Sequence, residues 1–138
     1  MTPETIERIE TSFALLAPRA EELTALFYTK LFAAHPGVRP LFPEDMTEQG
    51  KKLAQALGAV VAHVRHLDKA VPMLKAMGAR HVDYGTEPAH YGAVRDCLLV
   101  AMEELAGEVW NPTLKDDWTL ALNTVAEVML QGAEERSA

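Results

Sequence analysis

The sequence predicts an all-α fold, and three observations carry that reading. Apolar residues recur every three or four positions along most of the 138-residue chain, the repeat of an amphipathic helix. No stretch shows the clean period-two alternation of a half-buried strand. Prolines and glycines gather at breaks between the periodic stretches, as in "HPGVRPLFPED" and "YGTEP". Together they give six main helices plus one short corner helix.

The first helix opens at Thr2-Pro3-Glu4, with Thr2 as cap, Pro3 at the first helical position and Glu4 in the first turn; Ile6, Ile9, Phe13 and Leu16 form its stripe. Pro18 interrupts it, and a second helix from about Arg19 carries Leu23, Leu26, Phe27, Leu31 and Phe32. The three prolines of "HPGVRPLFPED" predict a tight turn of helix and a corner. The next helix begins at Thr47, aligns Gln49, Leu53, Ala56, Leu57 and Val60, and runs to about His66 or Leu67. After Asp68, Val71, Leu74 and Met77 lead to His81. Gly85-Thr86-Glu87-Pro88 reads as a stop and a new start, with Thr86 as cap. Tyr91, Val94, Leu98, Met102 and Leu105 stripe a long helix that ends before Gly107. Asn111 caps the last helix, with Trp118, Leu122, Val125 and Met129 facing inward.

The length fits one domain over residues 1–138. An apolar fraction of 49% and a charged fraction of 24% are ordinary for a soluble globular protein. "MTPETIERIE" lacks a signal-peptide pattern and "ALGAVVAHV" is far short of a membrane span, so no membrane association is expected. A formal net charge of −7 argues against nucleic acid as a partner. The lone Cys97 cannot close an internal disulfide, which suits a reducing cytoplasm, and reads as a small buried hydrophobe.

Chemistry narrows to the five histidines, His35, His63, His66, His81 and His90. His63 and His66 form a local pair, but nothing nearby completes a tetrahedral set, and they read as partly exposed residues near a helix end. HExxH, a nucleophile motif, a phosphate loop and CxxCH are all missing. His81 is different. Leu74, Met77 and Gly78 share its side of the helix, while Lys75, Arg80 and Asp83 lie elsewhere. It is either a core histidine satisfied by a backbone carbonyl or a metal ligand. A single histidine suffices for a metal where a macrocycle supplies the remaining ligands, as in haem held without a covalent link.

At this point "ALFYTKLFAAHPGVRPLF" (Ala25 to Phe42), "RHVDYG" with "AHYGAVRDCLL" (Arg80 to Leu99) and the Trp118 helix are similar, in spacing and order, to the bacterial single-domain globins and the globin domain of flavohaemoglobins. The resemblance covers essentially the whole chain. It implies a globin fold around a pocket for haem b (iron protoporphyrin IX), with His81 as proximal iron ligand. It gives Phe42 as the ring packed on the porphyrin, Tyr28 as the distal tyrosine, Gln49 as the distal glutamine and Leu53 as the apolar residue over the iron. Tyr91 resembles the tyrosine near the proximal histidine, and Lys52 and Arg80 are the cations for the propionates. Beside this, Tyr28, Phe42 and Trp118 also fit ordinary core roles, and Gln49, His90 and Tyr91 fit ordinary first-turn roles. His63, fourteen residues beyond Gln49 and roughly 21 Å along a helix, is too far to reach the same iron.

The resemblance has one departure. Flavohaemoglobin-type globins carry a glutamate near the chain end that joins the tyrosine in polarising the histidine; here Ala133 stands at that position, with Glu134 about 100° round the helix. The Met77 carbonyl is then the expected partner of the second ring nitrogen, and the push that favours O–O cleavage is weaker. The implied function is reversible binding of dioxygen, carbon monoxide and nitric oxide. A nitric oxide dioxygenase served by a separate reductase is the alternative, because a globin alone fills the chain. A haem-based gas sensor or a haem-free interaction module is the third.

Overall fold

The computed structural model describes residues 1–137. Among them it has six α-helices, α1 (Pro3–Leu16), α2 (Ala20–Ala34), α3 (Thr47–Ala62), α4 (Val71–Asp83), α5 (Pro88–Ala106) and α6 (Pro112–Ser137), and no strand. Short 3-10 segments fill the corners Ala17–Arg19, Pro36–Leu41, Val64–Ala70 and Gly107–Val109.

Local chemistry sets most boundaries. Thr2 accepts a hydrogen bond from the Thr5 amide, and the Asn111 side chain accepts one from Leu114, so both expected caps are present. α5 ends at Gly107, whose φ of 58° is cheap only for glycine. Two expectations are corrected. Glu87, not Thr86, caps α5: its side chain accepts from the His90 amide, while His90 Nδ1 accepts from the Glu87 amide. α3 stops at Ala62, not His66: the His63 amide and Nδ1 both close on the Ala59 carbonyl, at 3.2 and 2.8 Å, and His66 leaves helical geometry at φ −142°. Side-chain competition for a backbone carbonyl does not show in apolar periodicity.

α1 packs on α6, α2 on α3 and α5, and α4 on α6. Trp118, 1% exposed, anchors the α1–α6 contact and donates its Nε1–H to Ser12 Oγ at 2.9 Å. Beside it the buried Asp117 carboxylate is held by the Arg8 guanidinium. Buried side chains form two separate apolar clusters. The larger joins Ile9, Leu23, Phe27, Tyr28, Met102 and Trp118; the smaller joins Val60, Ala70, Leu74 and Met129.

The boundary between the clusters positions the site. On α3, Leu57 and Val60 are buried, yet Gln49, Leu53 and Ala56 on the same face are only half-buried. On α4, Leu74 is buried while Met77 and His81 are half-buried. On α5, Cys97 to Leu99 are buried while Tyr91 to Val94 are half-buried. Each helix therefore leaves one stretch of an interior face without full cover.

Candidate functional site

The first wall is aromatic and belongs to the larger cluster. Tyr28, on α2 and 7% exposed, packs its ring against Phe27, Phe32 and Phe42 at centroid distances of 4.7, 5.8 and 5.5 Å. Gln49, in the first turn of α3, donates its Nε2–H to Tyr28 Oη at 3.4 Å, a long bond. Because that oxygen accepts from Gln49, the tyrosine keeps its own proton to give elsewhere. Burial pushes the Tyr28 phenol above its ordinary value, with the Gln49 bond opposing, so the proton stays in place at neutral pH. Phe42 and Leu53, both half-buried, pack on the same cluster.

Arg39 holds the corner that carries Phe42. Its guanidinium donates to the carbonyls of Phe42, Pro43 and Glu44 at 3.3, 2.9 and 3.1 Å, and lies 4.9 Å from the Phe32 ring centre. Sequence reasoning passed over it. An arginine among prolines gives no periodic signal, and its acceptors are carbonyls of a loop.

The second wall belongs to α4 and the smaller cluster. His81 Nδ1 lies 2.5 Å from the Met77 carbonyl, the partner expected from the sequence. A carbonyl only accepts, so Nδ1 carries the proton, and in the neutral ring Nε2 keeps its lone pair. The Tyr84 ring stands edge-on to His81 at 5.5 Å, and Tyr91 is 6.4 Å away. Among the described residues the buried Tyr91 hydroxyl has no hydrogen-bond partner. Gly85, with φ +86°, turns the chain after α4 against Leu41 of the corner helix.

Not every expected residue joins these walls. Lys52 and Arg80 are exposed, and no ion pair among the described residues engages either. His66 is exposed, and the described residues hold no cluster of three metal-ligating side chains. Cys97 is buried, and burial pushes its thiol upward, away from reactivity.

An all-helical chain with these two walls is matched by known proteins. Residues 25–129 fit the model of the globin family. The chain belongs to the globins. This globin is 30% identical to a flavohemoprotein of Bacillus subtilis in an alignment that covers 92% of this chain and 33% of that protein. It is 27% identical to a flavohemoprotein of Bordetella parapertussis over 94% of this chain and 33% of the relative. The chain thus spans about a third of the length of these curated relatives. Among solved structures, a bacterial globin from Campylobacter jejuni superposes with a TM-score of 0.88 and 26% identity, covering 97% of each chain. An engineered carbene transferase, a candidate nitric oxide dioxygenase from Rhodothermus marinus, also gives 0.88, at 25% identity over 98% of this chain and 94% of that one. Membership supports haem-based binding of gases as the general function. No described helix is long and apolar enough to cross a membrane.

Proposed function

We propose that this globin holds haem b between the two walls, without a covalent link, and reversibly binds dioxygen and other diatomic gases. The observation that carries the reading is the pair of half-used groups. His81 donates its Nδ1–H to the Met77 carbonyl and keeps the Nε2 electron pair free; Tyr28 accepts from Gln49 and keeps its hydroxyl hydrogen free to donate.

The residues fit the group. A planar apolar cofactor needs uncovered apolar faces: Leu53 and Met77 are half-buried at positions where a helix normally buries its stripe, and Phe42 is half-buried at the corner after Pro36–Leu41. The Tyr91 hydroxyl is a buried donor for which the described residues supply no acceptor. In this reading His81 ligates the iron, Phe42 and Leu53 pack on the macrocycle, Tyr91 lies beside the histidine, and Lys52 and Arg80 meet the propionates. When bound, the haem supplies an iron centre with one open position for a diatomic ligand.

The chain's own residues do the rest. Met77 fixes the tautomer and orientation of His81. Tyr28 and Gln49 offer polar donors to a ligand carrying partial negative charge; each net hydrogen bond contributes about 1 kcal/mol. The aromatic wall excludes water from that end. One domain over residues 1–138, in the cytoplasm, completes the reading.

A second reading is conversion of nitric oxide and dioxygen, with one electron, to nitrate. It is favoured by the likeness to flavohemoproteins and to the Rhodothermus marinus protein, and it needs a separate reductase as partner. The deciding experiment is a visible spectrum of reconstituted protein in its ferric, ferrous and ferrous–carbonyl forms, followed by oxygen dissociation kinetics. A Soret band that moves with carbon monoxide and slow oxygen release support the carrier. Repeated nitric oxide turnover with an added reductase supports the enzyme, and no specific haem spectrum overturns both.

A further inference from the structure

α4 and α6 meet through their backbones. A Cβ placed on Gly78 would lie 1.8 Å from the Met129 carbonyl oxygen and 2.5 Å from its carbon. A Cβ on Gly132 would lie 2.1 Å from the Lys75 carbonyl oxygen and 2.6 Å from its Cα. The contacts are reciprocal: Gly78 against Met129 and, one turn along each helix in opposite senses, Lys75 against Gly132. Backbone atoms have no rotamer with which to escape, so any side chain at either glycine must move a helix. Around the crossing, Lys75 pairs with Glu135 at 2.8 Å and Asp83 with Arg136 at 3.2 Å. Leu74 and Met129 bury beside it.

Gly78 lies between the two residues of the histidine clamp: it follows Met77, whose carbonyl holds Nδ1, and precedes His81 by one turn. Within one helix these groups move as a unit. We infer that Gly78 and Gly132 are positioning residues for His81, setting by direct backbone contact how far the histidine-bearing helix stands from α6. The inference rests on the haem reading, since it assigns the glycines a role in placing the iron ligand. Composition does not explain them. Gly58, inside α3, has nothing within 4 Å of where its Cβ would stand, and is a matched control.

The test compares Gly78→Ala, Gly132→Ala and Gly58→Ala in the full chain, reconstituted with haem. The expected result is a shifted iron–histidine stretching band and about tenfold faster haem loss in the first two. Gly58→Ala should keep both values, with an unchanged or higher melting temperature. A lower melting temperature with an unmoved stretching band and unchanged haem loss overturns the inference, because the glycines then serve stability alone. So does failure of both variants to fold with or without haem. If the wild-type chain takes up no haem, the haem reading falls, and the His81 ring signals in the NMR spectrum of the haem-free protein decide the inference separately. Signals moved by Gly78→Ala and not by Gly58→Ala support it; signals that stay in place overturn it.

Discussion

On the aromatic wall Tyr28 is held by side chains, its ring among Phe27, Phe32 and Phe42 and its oxygen on Gln49. On the α4 wall His81 is held by backbone, through the Met77 carbonyl and a helix that touches α6 directly. Side chains can repack when one of them changes. Backbone contacts cannot, so the α4 wall should be the less forgiving of the two. The walls also differ in what they offer: an electron pair from His81, a proton from Tyr28. In the proposed reading, attachment of the cofactor rests on His81 and residence time of the ligand on Tyr28.

The largest expected effect breaks that division if it fails. His81→Ala should abolish stable haem retention, read as loss of the Soret band after gel filtration, whereas Tyr28→Phe should keep it. Native-like haem binding without His81 would sink the proximal assignment. Next, Tyr28→Phe should raise the oxygen dissociation rate roughly three- to tenfold in stopped-flow displacement, the worth of one hydrogen bond. An unchanged rate would mean that Tyr28 does not meet the ligand.

The same substitution on the opposite wall should have the opposite sign. Tyr91→Phe removes an unpartnered buried hydroxyl, and haem-free protein should gain about 1 kcal/mol in chemical denaturation. Tyr28→Phe, which removes a long but real bond, should lose up to about 1 kcal/mol. Equal signs would erase the contrast. The smallest effect is in alkali. Burial raises both phenols above the ordinary 10.0, so the fold favours their protonated forms. Their contribution is complete below pH 10.0 and is lost as pH rises through the higher folded values. Either Tyr→Phe variant should hold its far-UV circular dichroism to higher pH than wild type; coincident curves would contradict the burial argument.

Much of this was legible in the residues. Periodicity gave the six helices, and Thr2, Asn111 and Gly107 marked ends because capping and positive φ are local properties. The Met77 partner of His81 followed from helix geometry alone, four residues back. The end of α3 and the Glu87–His90 cap did not follow, since each turns on a histidine competing for backbone groups. Arg39 was missed because its partners are loop carbonyls, and Tyr84, 54% exposed, because it lies off the apolar stripe.

The residue pattern alone carried the helices and the inward-facing side of His81, because those depend on spacing within an element, whereas the meeting of Tyr28, Gln49 and Phe42 was implied by the resemblance to known globins. That Gly78 and Gly132 lie at a backbone crossing, and that Tyr91 has no partner among the described residues, shows only in the folded chain. A glycine against open solvent and a glycine against another helix read alike in one dimension. What separates them is the distance to a chain segment more than fifty residues away, which no local pattern encodes.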